Sequence, residues 1–280
     1  MMNWKRERKS FSNYKAAMGA FQVWVALAIG NTHLRWAYIR QGQIQQQWVT
    51  PHIPSCDLPQ SWEAYCQSSP ALRWHQQQGQ TPFPPLIVAS VVASQLKTWQ
   101  QYPTLLLLSL DQIPLQGRYP TLGLDRALAL WGAGGRYGWP ALVIDAGTAL
   151  TFTAADSAGR CQGGAILPGL GLQLLALSQG TAALPAVPLP GTIPQLWARD
   201  TEGALQSGVV HGAIATIQRF CQDWKTRQPA STLVITGGDG PQIMQYIQAL
   251  PANAWLAQIP LQHNPQLLLE GMIAWVEAYG

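Results

Sequence analysis

The sequence predicts an α/β fold of two duplicated lobes facing a phosphate across a cleft. Two segments carry that expectation. Ala28-Ile29-Gly30-Asn31-Thr32 follows one apolar run, and Asp145-Ala146-Gly147-Thr148 follows another. Each reads as a β-strand ending in a tight glycine turn with a hydroxyl residue. The two turns differ in one respect: Asp145 stands where the first turn has Ala28. At 280 residues and 48% hydrophobic composition, the chain can bury one large core or two packed lobes.

Composition narrows the function classes. Charged residues make up only 11% of the chain, and Gln supplies much of the remaining polarity. The net charge of +4 is matched by Lys5, Arg6, Arg8, Lys9 and Lys15 less Glu7, so the rest of the chain is near neutral. No basic stripe fits nucleic acid. Residues 1–20 read as a tail, either a disordered arm or residues upstream of a true start at Met18. They lack the apolar core of a signal peptide. No run of apolar residues is long enough for a membrane span. Cys56, Cys66, Cys161 and Cys221 show no metal spacing, which fits a reduced, cytoplasmic compartment. Most of the 13 tryptophans are expected in cores or interfaces.

The elements follow in order. Phe21–Ile29 reads as a strand, Leu34–Tyr38 as the next, and Gln41–Gly42 as the turn into a third, Ile44–Val49. This opening excludes a Rossmann start, which needs a helix after the first glycine turn. Pro51–Pro59 reads as irregular, and Trp62–Gln78 as mixed with some helical character. Leu86–Ala89 and Leu105–Leu108 are short buried strands flanking a helix over Val91–Trp99. Gln116–Leu122 is a loop and Leu124–Trp131 a helix. The glycine-rich Gly132–Pro140 reads as a turn and as the lobe boundary, dividing the chain into 21–138 and 139–280. Ala141–Ile144 restarts the pattern, followed by Leu150–Ala155, a turn at Asp156–Gly159 and a strand entering Gly163-Gly164-Ala165-Ile166. Gly171–Leu177 is a helix, and the four prolines of Pro185–Pro194 exclude regular structure. Glu202–Asp223 is a long helix whose Gly208 and Gly212 predict close packing of another backbone. Thr232–Ile235 is a strand turning at Thr236-Gly237-Gly238-Asp239-Gly240. Helices over Pro241–Leu250 and Leu267–Tyr279 close the chain.

Several groups can carry chemistry. Gly30-Asn31-Thr32 can offer backbone N–H groups and a hydroxyl to a phosphate, glycine permitting tight geometry and close approach. His33 follows and reads as structural or as a rim contact. Asp145 ends an apolar strand, where a carboxylate is costly to desolvate without a cation or donor. That favours a cation or phosphate role, with Thr148 able to donate to phosphate oxygens. Thr151 fits equally a supporting group and a simple β-former. Gly123-Leu124-Asp125-Arg126 sets a carboxylate beside a guanidinium at a helix start. Asp can take a proton from a hydroxyl and Arg can clamp a carboxylate; a helix cap with a surface arginine is the equal alternative. Thr236-Gly237-Gly238 is a plausible nucleotide-contact turn. Asp200 and Glu202 around Thr201 read as capping residues, and Glu270 as a packing or capping residue.

In this order the motifs resemble those of the type III pantothenate kinases, from about Val23 to Glu277. The first is the family's Asp-x-Gly-Asn-Thr, here Ala28-Ile29-Gly30-Asn31-Thr32, and Gly123-Leu124-Asp125-Arg126 matches Gly-x-Asp-Arg. Asp145-Ala146-Gly147-Thr148-Ala149-Leu150-Thr151 matches Asp-x-Gly-Thr-Ala-x-Thr. Gly163 to Gly169, Thr181 to Pro185, Gln206-Ser207-Gly208 and Thr236-Gly237-Gly238 complete the order. The resemblance implies duplicated ribonuclease H-like lobes of the acetate kinase, sugar kinase, Hsp70 and actin superfamily, with a cleft between them. It implies ATP-dependent phosphorylation of pantothenate to 4′-phosphopantothenate, the first step towards coenzyme A. Asp125 would be the base. Arg126, with Gly123 and Leu124, would hold pantothenate, and Tyr119 and Thr201 would be further contacts. Asp145 would hold a monovalent cation, potassium or ammonium. Thr148, the segment from Ala28 and Ile29 through Gly30, Asn31, Thr32 and His33, and Thr236, Gly237 and Gly238 would contact ATP with Mg2+. A cytoplasmic homodimer is implied.

Two departures stand out. Ala28 replaces the family's first aspartate, which orients magnesium, and the family's Tyr-x-Asn-Pro loop is compressed to Tyr119-Pro120. Three readings stay open: water and ATP oxygens hold the metal, a neighbouring carboxylate substitutes, or the protein is a non-catalytic sensor or transcriptional accessory protein. A sugar or acetate kinase, or a phosphatase of the same superfamily, is a broader alternative, disfavoured by Gly-x-Asp-Arg and by the chain's small size.

Overall fold

The computed structural model describes residues 22–52, 73, 84–99 and 102–279. The tail, most of Pro51–Pro59, and all of Trp62–Gln78 except Arg73 lie outside the described residues. The chain divides into two compact units. The first takes the described residues of Met1–Pro114, Leu122–Gly132 and Leu268–Gly280, and the second takes Leu115–Thr121 and Ala133–Leu267.

The first unit is built on a five-stranded sheet. Strands β1 (Val23–Ile29), β2 (Leu34–Arg40) and β3 (Gln43–Thr50) form an antiparallel meander. Strands β4 (Leu86–Ser90) and β5 (Leu105–Leu107) add in parallel, giving the order β3-β2-β1-β4-β5. Gln41 and Gly42, both at positive φ, make the two-residue hairpin between β2 and β3. Helix α1 (Ala93–Trp99) links β4 to β5. One face of the sheet packs Val25, Leu27, Ile29, Leu34, Trp36 and Tyr38 with Leu86, Val88 and Trp99. Trp36 anchors that core, stacked on Trp48 at 5.8 Å and edge-on to Trp99 at 5.1 Å.

Helix α2 (Leu124–Tyr137) runs through the glycines expected to form a turn. Their role is proximity. A Cβ on Gly134 would lie 1.9 Å from the Trp139 ring, so glycine lets that indole pack on the helix backbone. Close helix packing occurs again at Gly271 in α7 (Leu267–Tyr279), where a Cβ would fall 2.0 Å from the Leu128 carbonyl oxygen. Gly208 and Gly212, the expected close-packing pair, face open space instead. They lie on the exposed side of α4 (Thr201–Arg227), away from its buried residues Leu205, Val209, Val210 and Ala213.

The second unit repeats the same sheet. Strands β6 (Ala141–Ala146), β7 (Ala149–Ala155) and β8 (Cys161–Pro168) form an antiparallel meander. Strands β9 (Thr232–Thr236) and β10 (Leu261–His263) add in parallel, and the order β8-β7-β6-β9-β10 matches the first sheet strand for strand. In this unit two elements were not anticipated: β10 and the short helix α6 (Trp255–Gln258). β10 is a three-residue strand with two exposed polar residues, held by β9 rather than by an apolar pattern.

Helices α3 (Leu170–Gly180) and α4 pack on this sheet, where Phe152 stacks on Phe220 at 4.2 Å. Asp200 caps α4, accepting the Gly203 N–H at 2.8 Å. The proline-rich stretch is irregular as expected, and side chains satisfy its backbone. Gln206 donates to Pro188, Ser207 to Leu196, and Tyr246 of α5 (Gly240–Gln248) to Pro190. Burial pushes the Tyr246 phenol up, which keeps it the protonated donor.

Candidate active site

In the first unit, Ala28 and Ile29 end β1 and Gly30-Asn31-Thr32 makes the turn into β2. The Gly30 N–H closes the turn on the His33 carbonyl at 3.1 Å. Gly30 is not at positive φ, and a Cβ there would meet only that carbonyl at 3.4 Å. Tight backbone geometry therefore does not require glycine here. The Ile29 side chain lies in the core and its carbonyl accepts the Val91 N–H, so it can line a site only through backbone. Asn31, Thr32 and His33 are exposed. Ala28 is buried and offers no oxygen to a metal ion.

At the start of α2, the Asp125 carboxylate accepts the Arg126 N–H at 2.8 Å. A Cβ on Gly123 would sit 2.5 Å from Asp125 Oδ1, so a side chain there would push that carboxylate from its present position. Leu124 and Arg126 are buried, which limits Leu124 to backbone contacts. Asp125 is half-buried and keeps an open side.

In the second unit, three turns converge on Asp145. Its backbone pairs with Thr151 of β7 on one side and Thr236 of β9 on the other. Gly237, at positive φ, lies so close that a Cβ would be 2.5 Å from Asp145 Oδ1 and 2.4 Å from the Ala146 carbonyl. Asp239 N–H donates to Ala146 O at 2.8 Å, and Gly147 N–H donates to Ala149 O at 3.1 Å. Gly169, which starts α3, donates to Thr148 O at 2.9 Å, and a Cβ there would overlap the Gly147 carbonyl at 2.1 Å. Two glycines from separate motifs, Gly169 and Gly237, thus let backbone pack against the Asp145–Thr148 turn. They leave Thr148 and Gly238 exposed at the tip while Thr236 is buried. Tyr119 is half-buried in this unit and Thr201 is exposed at the head of α4.

Asp239 belongs to this cluster although the sequence reading assigned it no role. Burial raises its carboxyl above the usual carboxylate range, and its side chain does not cap α5. Its place directly after a double glycine at a strand end was the available signal. Cys161 and Cys221 are buried free thiols, and burial pushes Cys221 up to about 12. Among the described residues no group of three or more metal-ligating side chains occurs, and no helix is long and apolar enough to cross a membrane.

This arrangement is shared with known proteins. Residues 24–223 match a family model described as type III pantothenate kinase. A type III pantothenate kinase of Synechococcus sp. strain JA-3-3Ab is 42% identical over 89% of this chain and 90% of its own. One from Nostoc sp. is 42% identical over 81% and 86%. Among solved structures, a conserved Campylobacter jejuni protein described as of the Baf transcriptional activator family superposes with a TM-score of 0.59 at 18% identity, covering 91% of this chain and 98% of that one. A Sinorhizobium meliloti protein described as a 2-dehydro-3-deoxygalactonokinase gives 0.56 at 10% identity, covering 91% and 97%. These structures share the α/β fold of this chain. With the family model spanning most of the chain and close relatives matching nearly all of it, the chain belongs to the type III pantothenate kinase family.

Proposed function

We propose that the chain transfers the terminal phosphoryl group of ATP to the hydroxyl of pantothenate, giving 4′-phosphopantothenate. The observation that carries this reading is the Gly123–Arg126 cluster, where the Asp125 carboxylate lies in the space a Gly123 side chain would take and accepts the Arg126 N–H. Asp125 takes the hydroxyl proton as phosphorus is attacked. Arg126, with the backbone of Gly123 and Leu124, holds the pantothenate carboxylate and amide, and Tyr119 and Thr201 add contacts. Thr148 and the Gly30-Asn31-Thr32 turn hold ATP phosphates, and Thr236-Gly237-Gly238 receives the nucleoside against bare backbone.

Asp145 fits a monovalent cation, potassium or ammonium. Its carboxylate sits among backbone carbonyls at the Gly147 and Gly237 turns, the oxygen-rich setting that hard cations favour. Magnesium supplies charge neutralisation on the phosphates when it is bound. Residue 28 does not fit the role of orienting it, because alanine has no ligand atom.

The pattern of two sheets with one topology supports duplicated ribonuclease H-like lobes. Exposed Ile166, Leu172, Leu175, Leu196 and Trp197 support a homodimer, and we place the enzyme in the cytoplasm. The test is phosphorylation of pantothenate by ATP with magnesium and potassium. Turnover is expected; pantothenate binding without turnover would favour the second reading, a non-catalytic sensor or accessory protein, for which Ala28 is the supporting observation.

A further inference from the structure

The two glycine turns carry opposite charge designs. In the second unit, the residue two before the turn glycine is Asp145, and its cross-strand partner is Thr151. The equivalent position in the first unit is Ala28, and its cross-strand partner is Arg35. One pair is a carboxylate beside a hydroxyl; the other is a methyl beside a guanidinium. Directly opposed residues share a face of the sheet with Cβ atoms about 5 Å apart.

The surroundings leave that guanidinium available. The row across the sheet at this level is Val49, Arg35, Ala28 and Ala89. Ala28 and Ala89 are buried and small, and Val49 is 60% exposed. The opposite face holds the aromatic core, so Arg35 lies on the side away from it. Arg35 is half-buried, and among the described residues no hydrogen bond or ion pair is made by its side chain. Gly30 lies two residues beyond Ala28, about 7 Å along the strand and within the reach of an arginine side chain. An aspartate at position 28 would sit opposite this arginine and neutralise it. Alanine leaves the guanidinium without that counter-charge, on the strand position opposite the residue that leads into the turn.

We propose that Arg35 is a phosphate-binding residue. The Ala28–Arg35 pair makes the first glycine turn an anion site that grips the nucleotide polyphosphate directly, by charge-assisted hydrogen bonds from the guanidinium. This rests on the reading of the chain as an ATP-dependent kinase and deepens it. Nucleotide affinity should therefore depend weakly on magnesium. The loss at position 28 is then a change in how phosphate charge is met: a direct cation takes the place of a metal-orienting anion.

The experiment is titration calorimetry with the non-hydrolysable ATP analogue AMPPNP, in excess EDTA and in excess magnesium. The parent should bind in both conditions with similar affinity. Arg35→Gln should lose about ten- to a hundredfold in EDTA, and Arg35→Lys should keep part of it. Ala28→Asp should weaken binding in EDTA and make it magnesium-dependent, because the new carboxylate pairs with Arg35 and repels phosphate. Thermal melts of each variant separate these effects from misfolding, and Arg35→Lys serves if Arg35→Gln melts early. Equal affinity of the parent and Arg35→Gln in EDTA would overturn the proposal, as would a parent that binds only with magnesium. Turnover of pantothenate by the parent is scored separately: nucleotide binding without turnover counts against the kinase reading alone.

Discussion

Asp125 begins helix α2 with its carboxylate already accepting one backbone N–H, which orients it without closing off its outer side. As the proposed base it touches the pantothenate hydroxyl and not the nucleotide. Asp125→Ala should therefore lower turnover by about 10²- to 10⁴-fold while AMPPNP affinity, read by calorimetry, stays at the parent value. Parent-like turnover would remove Asp125 from the role of base. Asp239 gives a second residue-scale outcome, in stability. Burial raises its folded pKa, so the folded chain keeps this proton to higher pH than the unfolded chain does. Stability then falls as pH rises from the unfolded pKa through the folded one, and the penalty is complete above it. Asp239→Asn should melt above the parent at pH 7, with the gap closing as pH falls to about 4, the ordinary carboxylate range. An unchanged gap across that range would contradict burial as the cause.

At the scale of elements, apolar runs and turn residues were enough to place most strands, because both sheets bury their central strands on two faces. What misled was glycine. Gly132, Gly134 and Gly135 read as a breaker, yet α2 continues through them because Trp139 needs the bare helix surface at Gly134. Gly208 and Gly212 have the spacing of a contact motif, yet a Cβ on either meets nothing within 4 Å. Local sequence cannot distinguish a glycine that admits a neighbour from one that does not, since the neighbour is distant along the chain. The structure makes the distinction testable. Gly271→Ala forces a methyl to 2.0 Å from the Leu128 carbonyl, and backbone in two helices must separate to admit it. It should cost about 3 kcal/mol or more, whereas Gly208→Ala should stabilise by up to about 1 kcal/mol. Urea melts of the two variants check the contrast, and equal effects would refute the packing assigned to Gly271.

For the whole molecule, the repeat of one sheet topology was legible because a strand–turn–strand–turn–strand pattern occurs twice, and both sheets have the same strand order and polarity. The charge inversion between the two turns was half legible. Ala28 against Asp145 is visible in sequence, but Arg35 enters only through the register that sets it opposite Ala28. Oligomeric state was implied by resemblance alone, and the second unit now supplies a physical argument for it. Helix α3 reads Leu170-Gly171-Leu172-Gln173-Leu174-Leu175-Ala176-Leu177, yet only Leu170 and Leu174 are buried. Leu172, Leu175 and Leu177 remain exposed on it, and an apolar surface of this kind is usually covered by a partner. If a second copy covers α3, a charge placed there must be desolvated when the dimer forms, at a cost of several kcal/mol. Leu172→Glu and Leu175→Glu should therefore convert a dimer to a monomer in sedimentation equilibrium. Each monomer should keep its far-ultraviolet circular dichroism, because neither side chain belongs to the core of its own unit. A parent that sediments as a monomer, or variants that remain dimeric, would show that α3 is not the surface where two copies meet.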